Sequence, residues 1–325
     1  MMYAIRGFFY RLNKAWIAYW FFQPNLSVLA LMRVCVGVIL FFNMFTYSFD
    51  LSGHLGAEGW GLPKLIAAKE HLAWPFSLFS LVDSPYWLWT VHIVALMVVV
   101  VFILGIFPFF SGLASLVFFL SYLHRNPAVM VDLDALLLPL LLLLTLSPTG
   151  GHFSLSMPTY RFVYSWDRDP GNDSQWGSFM LRILQFQISL WYVGSALTHF
   201  TPEWMTGATL IHPRFVERGL PLGLLSLQTN PALLVVLAYG LVLFPLFYGV
   251  MVWFPGWRHP LVAVAMGFHM LVGFLWGNMA VNLCMMAANL AFAPPSLVLG
   301  FRDWIVDYLG LPWFPPQAKP VKSRS

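Results

Sequence analysis

The sequence predicts an all-α protein, a polytopic transmembrane helical bundle of seven or eight spans with an interfacial N-terminal helix. Three observations carry that expectation. First, 59% of the residues are hydrophobic and only 9% are charged, against about 25% charged in a typical soluble domain. Too few polar groups remain to cover a water-facing surface, and a disordered chain would be apolar-poor instead. Second, long apolar runs recur along the chain. A span needs about 20 apolar residues, and in lipid such a run must satisfy its own backbone hydrogen bonds as a helix. Third, aromatic residues make up 18%, with 15 Trp. Trp and Tyr rings collect in the headgroup layer at the two membrane faces.

The chain divides into a lead-in over 1–24, a bundle over 25–295 and a short basic tail over 296–325. The lead-in is amphipathic and carries Arg6, Arg11 and Lys14, as a helix lying on a membrane does; a simple basic tail is the alternative. The eight runs are 27–47, 85–107, 109–123, 135–146, 179–198, 232–254, 260–276 and 279–292. The third and fourth are short enough to be tilted or re-entrant, and the last two could be one long helix broken at Gly277-Asn278. The first apolar run, from Leu26, is too long for the apolar part of a signal peptide, so no cleavable leader is expected. Between the first two runs, Gly53, Gly56, Gly59 and Gly61 with Trp60 and Trp74 predict a structured loop with short interfacial helices. The stretch 149–177, with Asp167, Arg168, Asp169, Pro170 and Gly171, reads as turns. The tail is expected to be unstructured.

Orientation follows the Lys/Arg bias of the loops. With eight spans, one set of loops holds Arg6, Arg11, Lys14, Arg161, Arg168, Arg258, Arg302, Lys319, Lys322 and Arg324. The other holds Lys64, Lys69, Arg125, Arg214 and Arg218. The richer side reads as cytoplasmic and includes both termini. The net charge of +4 is spread out, with no basic run to engage nucleic acid. Cys35 and Cys284 both lie in apolar runs and read as small buried hydrophobes.

Ionisable groups at membrane depth are costly and mark sites by default. They are Arg33, His92, Asp134, Arg182, His199 and His269, joined by Gln185, Gln187, Asn278, Asn282 and Asn289. Arg182 and Gln185 share a helix face, as do the three asparagines. One reading is a polar pocket for an anionic or quinone-like headgroup. The other is hydrogen bonding between helices, which suits the asparagines, His92 and His269 better; Asp134 and His199 lean towards function. Arg33 and Arg182 fit either, because a charge near a span end can snorkel. No His, Asp or Glu pair has metal-ligand spacing, and no nucleotide-binding or nucleophile motif occurs. No complete catalytic motif is present, so the residues alone do not make this an enzyme.

Several stretches, in order, point to a family. They are Leu29-Ala30-Leu31-Met32-Arg33; then Leu123-His124-Arg125-Asn126-Pro127, Asp134 and Leu146-Ser147-Pro148-Thr149-Gly150; then Arg182-Ile183-Leu184-Gln185-Phe186-Gln187, Tyr192, and Trp204 with Gly207 three beyond. His269 and the apolar run before Pro294-Pro295 follow. From about residue 25 to 294 the chain resembles the HTTM (horizontally transferred transmembrane) domain, the bacterial relative of the membrane half of vitamin K-dependent gamma-carboxylase. The resemblance implies a multi-pass protein of a bacterial inner membrane and a quinone as the candidate cofactor or ligand. It makes Arg33, His124, Arg125, Asn126, Asp134, Arg182, Gln185, Trp204 and His269 candidate ligand-binding residues. It also places His199 where the carboxylase keeps its catalytic lysine, shortly before Trp-x-x-Gly. A histidine is not a like-for-like substitute for a desolvated lysine, and little chain follows the spans to hold a protein substrate. Glutamate carboxylation is therefore not expected. The expected partners are the bilayer and a lipid-soluble small molecule. The rival expectation is a non-enzymatic subunit that anchors or matures a partner protein, or a transporter; the halves show no internal repeat of the kind transporters carry.

Overall fold

The computed structural model describes residues 2–21, 26–56, 59, 77–81, 84–127, 130–151, 153–155, 175–207, 210 and 231–309. All regular structure among them is helical. The helices are α1 (Met2–Trp20), α2 (Ser27–Thr46), α3 (Leu51–Leu55), α4 (Pro85–Ile103), α5 (Pro108–Arg125), α6 (Asp132–Leu146), α7 (Gln175–Thr198), α8 (Pro202–Met205), α9 (Pro231–Met251), α10 (Pro255–Trp276), α11 (Met279–Asn289) and α12 (Pro295–Leu309). Short 3-10 turns cover Tyr47–Asp50, Leu78–Ser80 and Leu290–Phe292. Most of the 57–83 loop, with Trp60 and Trp74, and most of the 149–177 stretch lie outside the described residues.

Local chemistry sets the helix ends. Proline opens α4, α5, α8 and α10, where its missing N–H costs nothing and its φ already suits a helix. Asp50 caps α3, its Oδ1 accepting the Gly53 N–H at 2.9 Å. Gly277 ends α10 in the left-handed region at φ 66°, a conformation that favours glycine. It separates α10 from α11, which pack against each other as a hairpin. The two are therefore not one broken helix.

Two groups of helices result. In the first, α2 packs on α4, α4 on α5 and α5 on α6; in the second, α9 packs on α7 and α10 on α11. Helix α11 also lies against α2 and α6, and so joins the groups. One core runs through both, including Leu40, Val99, Phe119, Leu137, Ile188, Tyr248 and Ala288. The end of the bundle that holds the start of α2 is called the near end below, and the opposite end the far end.

By length and apolar content, two described helical segments can each cross a membrane, Ser27–Leu55 and Pro85–Ile103, both with mean hydropathy 2.3. A third is reached if Met279–Phe292 and Pro295–Ile305, bent by 115°, count as one span. The eight apolar helices expected from the sequence all occur, and among the described residues only these segments meet that measure.

The tail expectation is corrected. Residues 295–309 form helix α12, whose Val298 and Arg302 are buried and which packs on α2. Burial of Val298 supplies apolar contact, and Arg302 is neutralised by Asp303 at 2.5 Å. The rest of the tail lies outside the described residues. The lead-in is a helix, and its end docks on α7 through Trp20 and Phe179 rings 5.6 Å apart.

Candidate functional site

A cavity of about 560 Å³ lies where the far-end half of α7 faces the start of α6, and α9, α10 and α11. Its walls are largely apolar, with Leu136, Leu190, Trp191, Leu241, Phe268 and Met285 among them. The polar groups are Asp132 from α6, Tyr192, Ser195 and Thr198 from α7, then His199 and Trp204, His269 from α10, and Asn278 and Asn282 from the start of α11. Helix α7 and the residue that continues its last turn deliver three of them by periodicity alone: Tyr192, Ser195 and His199 stand at i, i+3 and i+7 and so share one face. Gly194 also lines the cavity, and a side chain built there would meet open space.

The His199 ring is held on two sides. Its Nδ1–H donates to the Ser195 carbonyl at 2.5 Å, and Trp204 meets it edge-on with centroids 4.3 Å apart. In a neutral imidazole with Nδ1 protonated, Nε2 keeps a lone pair and is the basic nitrogen. Trp204 is set by the turn that follows it. Gly207 closes that turn at φ 73° and donates its N–H to the Trp204 carbonyl at 3.0 Å. The Trp-x-x-Gly spacing thus has a backbone reason, since few residues other than glycine adopt that φ.

Behind His199, buried side chains form a continuous hydrogen-bonded chain through the second helix group. The Tyr248 hydroxyl donates to Asn289 Oδ1 at 2.6 Å. Asn289 Nδ2 donates to the Tyr192 oxygen at 2.6 Å. The Tyr192 hydroxyl meets His269 Nε2 at 2.6 Å, and His269 Nδ1 meets Asn282 Oδ1 at 2.9 Å. Asn282 Nδ2 donates to the Asn278 carbonyl at 2.8 Å. That last bond makes Asn282 Oδ1 the acceptor of its amide, so His269 carries its proton on Nδ1 and Nε2 accepts from Tyr192. Donors and acceptors then alternate without conflict from α9 to the start of α11.

The candidate residues do not form one pocket. His199, His269 and Trp204 line the cavity; the other seven stand elsewhere, and six of them make hydrogen bonds of their own. Arg33 is buried at the near end, where Nη1 donates to the Thr149 carbonyl at 2.9 Å and Nη2 to the Phe153 carbonyl. It does not snorkel. Arg125 at the end of α5 donates from Nε to the Leu55 carbonyl at 2.7 Å, and Asn126 donates to the His54 carbonyl at 2.8 Å. His124 occupies the last turn of the same helix, half-buried. Asp134, the third residue of α6, accepts from Asn43 at 2.8 Å and reaches back to the N–H of the N-cap Val131 at 2.9 Å, as the acidic residue of a capping box does. At the near end Arg182 donates to Gln185 at 2.8 Å and to the Tyr19 carbonyl at 3.1 Å. Gln185 donates on to the Ala291 carbonyl at 2.7 Å. His92, between Ser48 at 2.8 Å and Tyr122 at 2.5 Å, is a satisfied core histidine.

Arg125, Arg182 and Arg258 share one habit. Leu55 ends α3, Tyr19 lies in the last turn of α1, and Val252, which accepts from Arg258 Nε at 3.3 Å, follows α9. Each guanidinium sits where a helix leaves carbonyls unpaired and its dipole is negative. These cations are helix-end staples.

Sequence reasoning passed over Tyr192 as a site residue, along with Asp132, Ser195 and Thr198. The signal was the 192–195–199 spacing on one apolar helix. The sequence suits Asn278 and Asn282 to interhelical bonding; Asn282 does bond His269, and both line the cavity as well. Among the described residues no cluster of His, Cys, Asp or Glu could hold a metal ion. No protein-family model matches the chain, and no curated protein or solved structure matches it.

Proposed function

We propose that this is an HTTM-like, multi-pass membrane protein whose cavity beside His199 binds a lipid-soluble, quinone-like ligand. The carrying observation is that His199, at the position the resemblance gives to a catalytic base, lines the same cavity as the Tyr192–His269 pair. A cavity of about 560 Å³ falls within the roughly 300–1,000 Å³ typical of small-molecule sites. Its apolar walls suit a ring and tail. The phenol and imidazole groups suit ring oxygens, and the His199 Nε2 lone pair can take a proton from a ring hydroxyl. The near end is then the cytoplasmic face, with both termini there and seven or eight spans. The Lys/Arg bias of the loops supports that orientation. Carboxylation of glutamate is not part of the proposal, because no lysine stands at the base position.

Binding of a short-chain naphthoquinone to the purified protein in lipid nanodiscs tests this, read by quenching of Trp191 and Trp204 fluorescence. Saturable quenching is expected. His199→Ala should weaken binding of the corresponding naphthohydroquinone, whose ring hydroxyl donates to Nε2, by about tenfold, the value of roughly one hydrogen bond to a ligand. Gly194→Phe, which fills the cavity, should abolish it. Linear, non-saturating quenching, or saturation untouched by both substitutions, would remove the ligand from this cavity.

A further inference from the structure

The hydrogen-bonded chain behind the cavity has a property that follows from counting its donors. Tyr192 and His269 both line the cavity and both are buried. In the arrangement found, Tyr192 spends its one hydroxyl proton on His269 Nε2 and accepts from Asn289 Nδ2. His269 uses its other nitrogen on Asn282 Oδ1. Neither group has a donor left for a ligand, and Tyr192 keeps only its second lone pair. One added proton on Nε2 changes this without breaking the chain. Nε2–H then donates to the Tyr192 oxygen, Asn289 and Asn282 keep their bonds, and both Tyr192 lone pairs are filled. The Tyr192 O–H has to point elsewhere, and the cavity is where it can go.

We infer that Tyr192 and His269 form a proton-linked donor switch: a ligand oxygen that accepts from the Tyr192 hydroxyl binds together with one proton, which resides on His269 Nε2. No covalent bond of the ligand changes. One N–H bond forms on the imidazole, with the proton drawn from solvent, and the Tyr192 O–H rotates from Nε2 to the ligand. A buried cation is costly unless its hydrogen bonds are complete. Here they are complete once Tyr192 has an outside acceptor, so proton and ligand favour each other reciprocally. The site therefore prefers ligands with a carbonyl or oxyanion oxygen over those offering only a hydroxyl proton. Asn289 and Asn282 are positioning residues that fix which lone pairs are filled. This inference rests on the proposed quinone-like ligand and specifies how its oxygen is recognised.

Other titratable groups surround the pair. Helix α6 contributes Asp132 and α7 His199, both lining the cavity, and α9 contributes Tyr248 through Asn289. On α11 the titratable side chain is Cys284, which does not line the cavity. The 3-10 turn Leu290–Phe292 carries none.

The experiment is naphthoquinone binding to the full-length protein in nanodiscs across about pH 5–9, where imidazoles titrate. The quinone has no titratable proton of its own. Because the complex holds one proton more than its separate components, affinity should rise as pH falls, approaching tenfold per pH unit. Calorimetry in buffers of different ionisation enthalpy should show uptake approaching one proton per ligand bound. Tyr192→Phe, and independently His269→Gln, should remove the slope. His199→Ala and Asp132→Asn change the other titratable groups of the cavity, and they should keep the slope whatever their effect on affinity. Two variants on one chain guard against either failing to fold. Quinone binding that ignores pH, or a slope that survives in Tyr192→Phe, would overturn the switch and leave the ligand assignment standing. No saturable binding at any pH would overturn the ligand assignment, and the switch with it.

Discussion

Replacing Arg33 with alanine is expected to destabilise the protein by about 3–5 kcal/mol, read as loss of unfolding free energy in mild detergent. Arg33 is fully buried, at 0% exposure. It tethers α2 to the Thr149 and Phe153 carbonyls in the segment that follows α6. Each carbonyl left without a donor costs about 1–3 kcal/mol, and truncation leaves a void as well. Removing the charge offsets part of that loss, because burying a guanidinium is itself unfavourable. The methionine variant separates these contributions. It fills most of the volume and carries no charge, so Arg33→Met should lose clearly less than Arg33→Ala. Equal losses would assign the whole effect to the hydrogen bonds. Gly105 gives an independent check. It sits at φ 69°, and a Cβ there would lie 2.3 Å from Arg33 Nη1. Gly105→Ala alone therefore combines a steric collision with a left-handed backbone. In the Arg33→Ala background the collision is gone, and only the backbone cost of about 1–2 kcal/mol remains. The double-mutant cycle should depart from additivity by about 1 kcal/mol or more. An additive pair would mean the guanidinium does not pack on that turn.

The contrast between Arg33 and Tyr192 explains how much of this protein is legible in its sequence. Helices α2, α4, α7 and α11 begin or end within a few residues of the apolar runs that predict them, because lipid-like apolarity is a local property. The cost of burying Arg33 is equally visible. Its destination is not, since main-chain carbonyls of a distant loop carry no side-chain signature. The same holds for Arg125 on Leu55 and Arg182 on Tyr19. All three could therefore pass for ligand anchors, although Arg33 holds a loop and the other two staple the ends of helices. The cavity was half legible. His199 stood out by composition, and the Tyr192–Ser195–His199 spacing lies on a single helix. Its remaining polar groups come from α6, α8, α10 and α11, and Tyr192 and His269 stand 77 positions apart. Helix pairing across such a distance depends on packing that periodicity does not encode. The sequence marks Asn282 and Asn289 as hydrogen-bonding groups, but which groups they bond decides the chemistry.

Asn289→Leu should cost about 2–4 kcal/mol of stability and also disturb the cavity. It is the sharper test of the buried chain because it preserves shape. Leucine is nearly isosteric with asparagine, so packing loss is small, and what remains is polar. Asn289 is completely buried between Tyr248 and Tyr192, at 2.6 Å from each hydroxyl oxygen. Without it the Tyr248 hydroxyl proton is a buried donor facing methyl groups, at about 1–3 kcal/mol. Tyr192 loses an acceptor contact of smaller value. Tyr248→Phe should then rescue most of the Asn289→Leu defect, because it removes the orphaned donor without changing the ring. A defect that Tyr248→Phe leaves intact would mean the loss comes from packing against α2 and α7 instead. The functional readout is separate from stability. Tyr192, freed from Asn289, has a second lone pair to fill and can turn its ring or admit water. Quinone affinity in Asn289→Leu should fall even under conditions where the variant is fully folded. In Asn289→Leu with Tyr248→Phe, stability should return while affinity stays low, because the contact that orients Tyr192 is still missing. Recovery of both together would reduce the chain behind the cavity to a packing device.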